Sequence, residues 1–206
     1  MLEIFEKGGP VMWPLLFTSI TALATVLERL GFLVLEARRR QPDVVARFFH
    51  HAEQGDWTLA VEATGNTTDL VARTLGEGLR HRNESLTDAL LRAANRELRR
   101  FGRGLTILDP TITLAPLLGL LGTVTGMIAA FGLIGGEALE APAAITGGIA
   151  EALIATAFGL AIAITALIPF NTLNGRLEDA RHELQDAATQ LELLVRRSRE
   201  PGVREV

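Results

Sequence analysis

The feature that most constrains this chain is the distribution of its charges. No lysine or arginine occurs between Arg103 and Arg176, and the acids of that interval are few: Asp109, Glu137, Glu140 and Glu151. Apart from Lys7, the basic residues lie in two blocks, 29–103 and 176–204. A soluble protein rarely separates its charges in this way, so the long interval without basic residues predicts segments embedded in a membrane.

Three stretches are long and apolar enough to cross a bilayer. A spanning helix needs about 20 mostly apolar residues. Residues 8–27 and 110–136 carry no charge, and residues 141–175 carry only Glu151. Prolines lie inside or beside these stretches, where spanning helices tolerate them better than soluble helices do. The sequence therefore predicts three transmembrane helices.

Lysine and arginine in the flanking loops indicate the orientation of the spans. Arg29 and the arginines at 38–40 follow the first span, Arg176 follows the third, and the loop between the second and third spans has no basic residue. We therefore expect a periplasmic N-terminus, and a middle segment and C-terminus in the cytoplasm. Because the stronger positive cluster follows the first apolar stretch, a cleaved signal peptide is disfavoured.

These patterns divide the chain into six segments and predict an all-α integral membrane protein with a helical cytoplasmic domain. We expect an N-terminal periplasmic segment and the first transmembrane helix over 1–40, cytoplasmic helices over 41–107, the second transmembrane helix over 108–136, a short periplasmic loop over 137–142, the third transmembrane helix over 143–172, and a cytoplasmic helix and tail over 173–206. No strand alternation occurs along the chain.

Local signals divide the segment 41–107 into four short helices. Pro42 opens the first, and Asp56 can cap the second after a break at Gly55. Ser85 and Asp88 form a variant of the capping box ahead of the fourth.

A heptad pattern follows the third span. Its apolar residues step by four and three: Leu173, Leu177, Ala180, Leu184, Ala187, Leu191 and Leu194. The pattern predicts that the third spanning helix continues into the cytoplasm. It packs there either on the fourth cytoplasmic helix of its own chain or on a neighbouring subunit.

The second and third spans are rich in small residues, which let helices approach closely in lipid. Gly122 and Gly126 form a small-xxx-small pair, Gly119 extends that surface by a turn, and Gly159 belongs to the small residues of the third span. We expect these four glycines to lie in a tight helix–helix contact. They do not form a phosphate-binding loop, because the Lys-Ser/Thr ending and a preceding strand are missing.

Three polar side chains in the spans are candidates for a proton path. An ionised carboxylate such as Glu151 costs about 2.5–3.5 kcal/mol at the bilayer centre, so such residues face a bundle interior or a wet cavity. Thr123 and Thr156 lie near the middles of antiparallel spans, and a hydroxyl both donates and accepts hydrogen bonds. The alternatives are a shallow, inert Glu151 and threonines bonded to a carbonyl one turn back. Five residues turn a helix by about 140°, so Glu151 and Thr156 cannot share one narrow face.

The composition disfavours several other classes of function. The chain has no cysteine, which excludes thiolate zinc sites and cysteine nucleophiles within it. Its histidines are not spaced like metal ligands, so we expect no metal and no cofactor. Its few serines are not accompanied by a histidine and an acid in a catalytic pattern, so we expect no enzyme activity. A net charge of −4, with acids and bases interleaved, gives no reason to expect a nucleic-acid partner.

Three segments closely resemble the MotA/TolQ/ExbB proton channel family, in its ExbB and TolQ branch. They are 8–29, which begins GGPVMWPL, then APLLGLLGTVTGMI at 115–128 and GIAEALIATAFGL at 148–160. The resemblance covers all three spans and their order. The MotA branch has two spans before its cytoplasmic region and this chain has one, which argues against a flagellar stator.

The resemblance implies a motor subunit of the bacterial inner membrane. In that family the subunit forms a pentamer in the lipid around the spanning helices of an ExbD- or TolR-like dimer, and proton entry drives a TonB- or TolA-like protein. The family's pore residues, a Thr in a Gly-Thr-Val motif and the Glu and Thr of Ala-Glu-Ala-Leu-Ile-Ala-Thr, fall on Thr123, Glu151 and Thr156. The family's essential Asp belongs to the partner. The alternative is an oligomeric scaffold that moves no protons, and the choice between ExbB and TolQ stays open.

Overall fold

The computed structural model describes residues 2–132 and 142–199, and within these ranges every regular element is an α-helix. The order is α1 (Leu2–Lys7), α2 (Met12–Arg39), α3 (Pro42–Glu53), α4 (Trp57–Ala63), α5 (Leu70–Arg80), α6 (Arg82–Gly102), α7 (Leu105–Gly132) and α8 (Pro142–Arg199). The all-α prediction is confirmed. The loop expected over 137–142 lies outside the described residues except for Pro142, as does the end of the tail, 200–206.

Three helices are long and apolar enough to cross a membrane: α2, α7 and the part of α8 over Thr146–Ser198. The prediction of three spanning helices is confirmed, and the chain is a multi-pass membrane protein. α7 begins at Leu105 and α8 at Pro142, and the transmembrane segments expected over 108–136 and 143–172 stay predictions. Pro116 and Pro169 lie inside α7 and α8 without ending them.

The chain divides into two compact units. The first, here called the membrane unit, comprises Met1–Leu30 and Gly104–Leu173. The second, here called the polar unit, comprises Gly31–Arg103 and Asn174–Val206. As the heptad pattern predicts, α8 continues without interruption from the last spanning residues through Arg199.

Four of the seven heptad positions of α8, Leu184, Ala187, Leu191 and Leu194, contribute to the core of the polar unit. Leu184, Ala187 and Leu191 are buried in one cluster with Phe48 of α3 and Leu75 of α5. Of the two arrangements that the pattern left open, the structure therefore shows packing within the chain for these residues. The surface on which α8 packs is wider than expected, because it includes α3 and α5 as well as α6.

The polar unit depends on a capping residue that the sequence did not single out. One carboxylate oxygen of Asp69 accepts hydrogen bonds from the backbone N–H groups of Val71 (2.8 Å) and Ala72 (3.1 Å) at the start of α5. The other accepts from the N–H of Gln41, 2.9 Å away. Since Asp69 is only 2% exposed, it links the start of α5 to the residue before α3 through buried hydrogen bonds.

The two caps expected from the sequence have different outcomes. Ser85 leaves helical geometry at φ −157° and ψ 100°, and its hydroxyl accepts a hydrogen bond from the N–H of Asp88 at 3.3 Å. The prediction that Asp56 caps α4 is wrong, because its side chain makes no capping hydrogen bond to that helix. Its ψ of 65° is far from the extended geometry of Asp69, whose ψ is 131°.

Replacing Asp69 with alanine should lower the free energy of unfolding by about 2–4 kcal/mol. A lost cap costs about 0.5–2 kcal/mol, and a buried N–H left without an acceptor adds about 1–3 kcal/mol. Asp56→Ala is the matched control and should change stability by no more than about 0.5 kcal/mol. Thermal unfolding of the purified chain in detergent, followed by circular dichroism, measures both. Equal shifts for the two variants would contradict the assignment.

Candidate functional site

α7 and α8 pack on each other along a surface of glycine and alanine. A Cβ added to Gly126 would lie 3.0 Å from the Cβ of Ala152, and one added to Gly159 would lie 3.1 Å from the Cα of Gly119. Such distances leave almost no room for further side-chain atoms, so the two backbones approach closely. All four glycines that the sequence singles out for packing lie in this contact: Gly119, Gly122, Gly126 and Gly159.

The same contacts define the register of the two helices. Gly126 lies against Ala152, whereas Gly119 lies against Thr156. Residue numbers therefore fall along α8 as they rise along α7, which makes the helices antiparallel. Thr123 lies between the two contact levels on α7, so it is within about one helical turn of the level of Thr156.

The two candidate threonines make different hydrogen bonds. Thr156 is half-buried, and its hydroxyl donates across the helix contact to the carbonyl oxygen of Gly119 at 2.9 Å. Thr123 is partly exposed and donates to the carbonyl oxygen of Leu120 in its own helix at 2.7 Å. The Thr123 bond matches the alternative given above, in which a threonine in a span bonds only to a carbonyl one turn back in its own helix. Both hydroxyl oxygens keep lone pairs that can accept a further hydrogen bond.

Glu151 lies on another side of α8, against the segment that precedes α2. Its carboxyl group packs on the bare α-carbon of Gly9, where an added Cβ would lie 2.5 Å from the carboxyl carbon. Gly9 has a φ of 71°, in the left-handed region that favours glycine. Sequence reasoning missed Gly9 as a neighbour of the site. The available signal was the glycine pair at 8–9, directly before the first span.

The structure brings the three candidates into one unit but not into one cluster. Across the described ranges, no hydrogen bond joins the side chains of Thr123, Glu151 and Thr156. Thr156 faces α7 and Glu151 faces the start of α2, in keeping with the 140° expected between them. Within 2–132 and 142–199, no group of three or more His, Asp or Glu residues is arranged to hold a metal ion.

A sequence model of the MotA/TolQ/ExbB proton channel family matches residues 66–186, which is more than half of the chain. The chain belongs to this family. The matched part contains α7 and the first three-quarters of α8, and therefore all three candidate residues. It does not contain α2 or Gly9.

Individual relatives extend the similarity to nearly the whole chain. The chain is 39% identical to ExbB-like 1 of Synechocystis sp., over 95% of its own length and 79% of that protein. It is 33% identical to the ExbB homolog of Methanothermobacter thermautotrophicus, over 87% of its own length and 64% of that protein. The biopolymer transport protein ExbB of Xanthomonas campestris pv. campestris is 36% identical over 54% of this chain, which spans 47% of that relative. The resemblance to the ExbB and TolQ branch is confirmed.

Proposed function

We propose that this chain is the proton-channel subunit of a motor in the bacterial inner membrane, of the ExbB–ExbD or TolQ–TolR type. The observation that carries the proposal is the place of Glu151. It is the sole charge between residues 141 and 175, it is half-buried, and it lies in the part matched by a proton channel family. A carboxylate in a span is costly unless it faces a protein interior or water, and such residues mark ion pathways.

The exposed faces of the spans support an oligomer around a partner. In the single chain many large apolar side chains of α2, α7 and α8 are exposed, for example Phe17, Ile128 and Ile168. In a membrane these faces contact lipid or other spanning helices. We propose a homopentamer around the spanning helices of an ExbD- or TolR-like dimer, with Thr123 and Thr156 lining the inner cavity. The partner then supplies the aspartate that the resemblance places outside this chain.

The order of polar groups along α8 suggests how protons enter. With a periplasmic N-terminus, Glu151 lies nearer the periplasmic mouth than Thr156, by five residues or about 7.5 Å along the helix. Glu151 accepts protons or shapes the field there, while the threonine hydroxyls bind water or the partner's carboxyl group deeper in the cavity. Each proton that crosses 100 mV releases about 2.3 kcal/mol. We propose that this energy drives a TonB- or TolA-like protein.

Glu151→Gln tests the carboxyl group at nearly constant volume. We expect proton flux through the complex to fall by at least about tenfold, since a group that exchanges protons commonly contributes about 10²–10⁴-fold to such a step. The change removes charge and proton exchange together. Glu53→Gln, at an exposed position of α3, is the control and should conduct as the wild type does. Unchanged flux in Glu151→Gln would show that the carboxyl group is dispensable.

Native mass spectrometry tests the assembly itself. The chain is co-expressed with an ExbD- or TolR-like single-span protein, and the complex is extracted and weighed intact. We expect five copies of this chain with two of the partner. A stable oligomer that never retains the partner would contradict the proposal and favour the alternative function, a membrane scaffold that moves no protons.

A further inference from the structure

The segment ahead of α2 packs on the face of α8 that carries Glu151. Gly8 is buried, and a Cβ added there would overlap the side chain of Met12 and lie 3.1 Å from that of Ile154, one turn after Glu151. Phe5 and Ile154 both pack against the apolar cluster around Met12. The chain around Gly8 and Gly9 therefore packs against α8.

Backbone hydrogen bonds define the path of this segment on both sides of Gly9. The N–H of Gly8 donates to the carbonyl of Phe5 at 3.2 Å, and the N–H of Met12 donates to the carbonyl of Gly9 at 3.1 Å. The φ of 71° at Gly9 lies in the left-handed region of backbone geometry, which residues with a side chain rarely adopt. A shift of Gly9 away from α8 would disturb both turns.

The space beside Gly9 is occupied by the Glu151 carboxyl group. An added Cβ would lie 2.5 Å from the carboxyl carbon and 3.1 Å from the Cγ of Glu151, and would overlap its Oε1 atom. A side chain at position 9 and the present rotamer of Glu151 therefore exclude each other. The carboxyl group occupies this place because residue 9 has no side chain.

We propose that Gly9 is a positioning residue for Glu151: its missing side chain creates the space that holds the carboxyl group at the start of α2. The inference rests on the proposed function and extends the proton path to a residue outside the part matched by the family, 66–186. A displacement of about 1 Å in a reacting group can cost about 100-fold in rate. Displacing the carboxyl group should therefore impair proton transfer without removing a titratable group.

The test compares Gly9→Ala with Gly55→Ala in the complex of the full chain and its partner, reconstituted in liposomes. Gly55 has a similar φ of 81° but has no atom within 4 Å of an added Cβ, so it reports the backbone strain alone. Proton flux is measured together with the rate at which dicyclohexylcarbodiimide labels Glu151, read by mass spectrometry. The labelling rate reports the environment of the carboxyl group. In a complex that still assembles, a general loss of stability does not change this rate.

We expect Gly9→Ala to lower proton flux at least about tenfold and to change the rate of Glu151 labelling, because the carboxyl group moves away from the glycine turn. Gly55→Ala should change neither. If Gly9→Ala fails to assemble, Gly9→Asn replaces it, because asparagine tolerates positive φ yet still brings a Cβ. Wild-type labelling of Glu151 in the assembled Gly9 variant overturns the positioning role.

Failure of the proposed function gives a different result. If Glu151→Gln conducts protons as the wild type does, Glu151 has no role in the flux and the proposed function loses its main support. The labelling comparison then still decides whether Gly9 places the carboxyl group. If Glu151→Gln lowers flux while Gly9→Ala changes neither flux nor labelling, the proposed function stands and the positioning role is wrong.

Discussion

Replacing Gly159 with leucine is expected to break the contact between α7 and α8. A Cβ at this position would lie 2.5 Å from the carbonyl oxygen of Ala115 and 3.1 Å from the Cα of Gly119. Both are backbone atoms, which cannot rotate away as a side chain can. Overpacking of this kind commonly costs about 1–3 kcal/mol. Because leucine adds three further carbons beyond the Cβ, we expect the free energy of unfolding to fall by about 3 kcal/mol or more.

The same helix offers a matched control for this change. Gly147 is exposed and has no atom within 4 Å of an added Cβ. Gly147→Leu should be neutral or slightly stabilising, because glycine in a helix costs about 1 kcal/mol relative to a good helix former. The stability of both variants in detergent can be followed by circular dichroism on heating. If they unfold at the same temperature, the close approach of the two backbones is wrong.

Thr156→Val is expected to abolish proton-driven activity while the complex still assembles. Valine keeps the shape of threonine but removes the hydroxyl group that donates to the Gly119 carbonyl across the helix contact. Loss of one such hydrogen bond costs about 0.5–1.5 kcal/mol, which a packed glycine interface can tolerate. In contrast, the proposed cavity would lose a hydroxyl oxygen that can accept a hydrogen bond from water or from the partner, so we expect proton flux to fall at least about tenfold.

Thr165 provides the comparison for that variant. It lies in the same helix, and its hydroxyl donates to the carbonyls of Ala161 and Ile162 in its own helix. Thr165→Val should therefore retain both assembly and flux. Proton flux into liposomes that contain the complex measures both changes, with native mass spectrometry as the check on assembly. Full activity in Thr156→Val would remove its hydroxyl from the proton path.

The features that could be predicted from the sequence are those with a continuous signal along the chain. The interval without lysine or arginine between Arg103 and Arg176 predicts spanning helices because every residue of a span meets the same lipid. The heptad pattern predicts the continuation of α8, because each repeat places apolar residues on the same face of the helix. The resemblance to the family rests on three segments, two of which, 115–128 and 148–160, lie inside the interval between Arg103 and Arg176.

The features that could not be predicted depend on contacts between distant parts of the chain. Asp69 binds the backbone of Gln41, a neighbour that no local pattern identifies. Asp56 has the sequence context of a cap, but its backbone geometry prevents it from forming one. Gly9 lies against Glu151 although the two are far apart in the sequence. The sequence predicts that Glu151 needs a protein or water environment, but it does not identify which segment provides it.

Proton flux in liposomes shows whether this chain is a proton-channel subunit. The complex of this chain and its single-span partner is reconstituted, a membrane potential is applied, and acidification is followed with a pH-sensitive dye. We predict flux when both proteins are present, little flux with either protein alone, and at least about tenfold less flux with Glu151→Gln. An assembled complex that conducts no protons, or that conducts equally well with Glu151→Gln, would contradict this account.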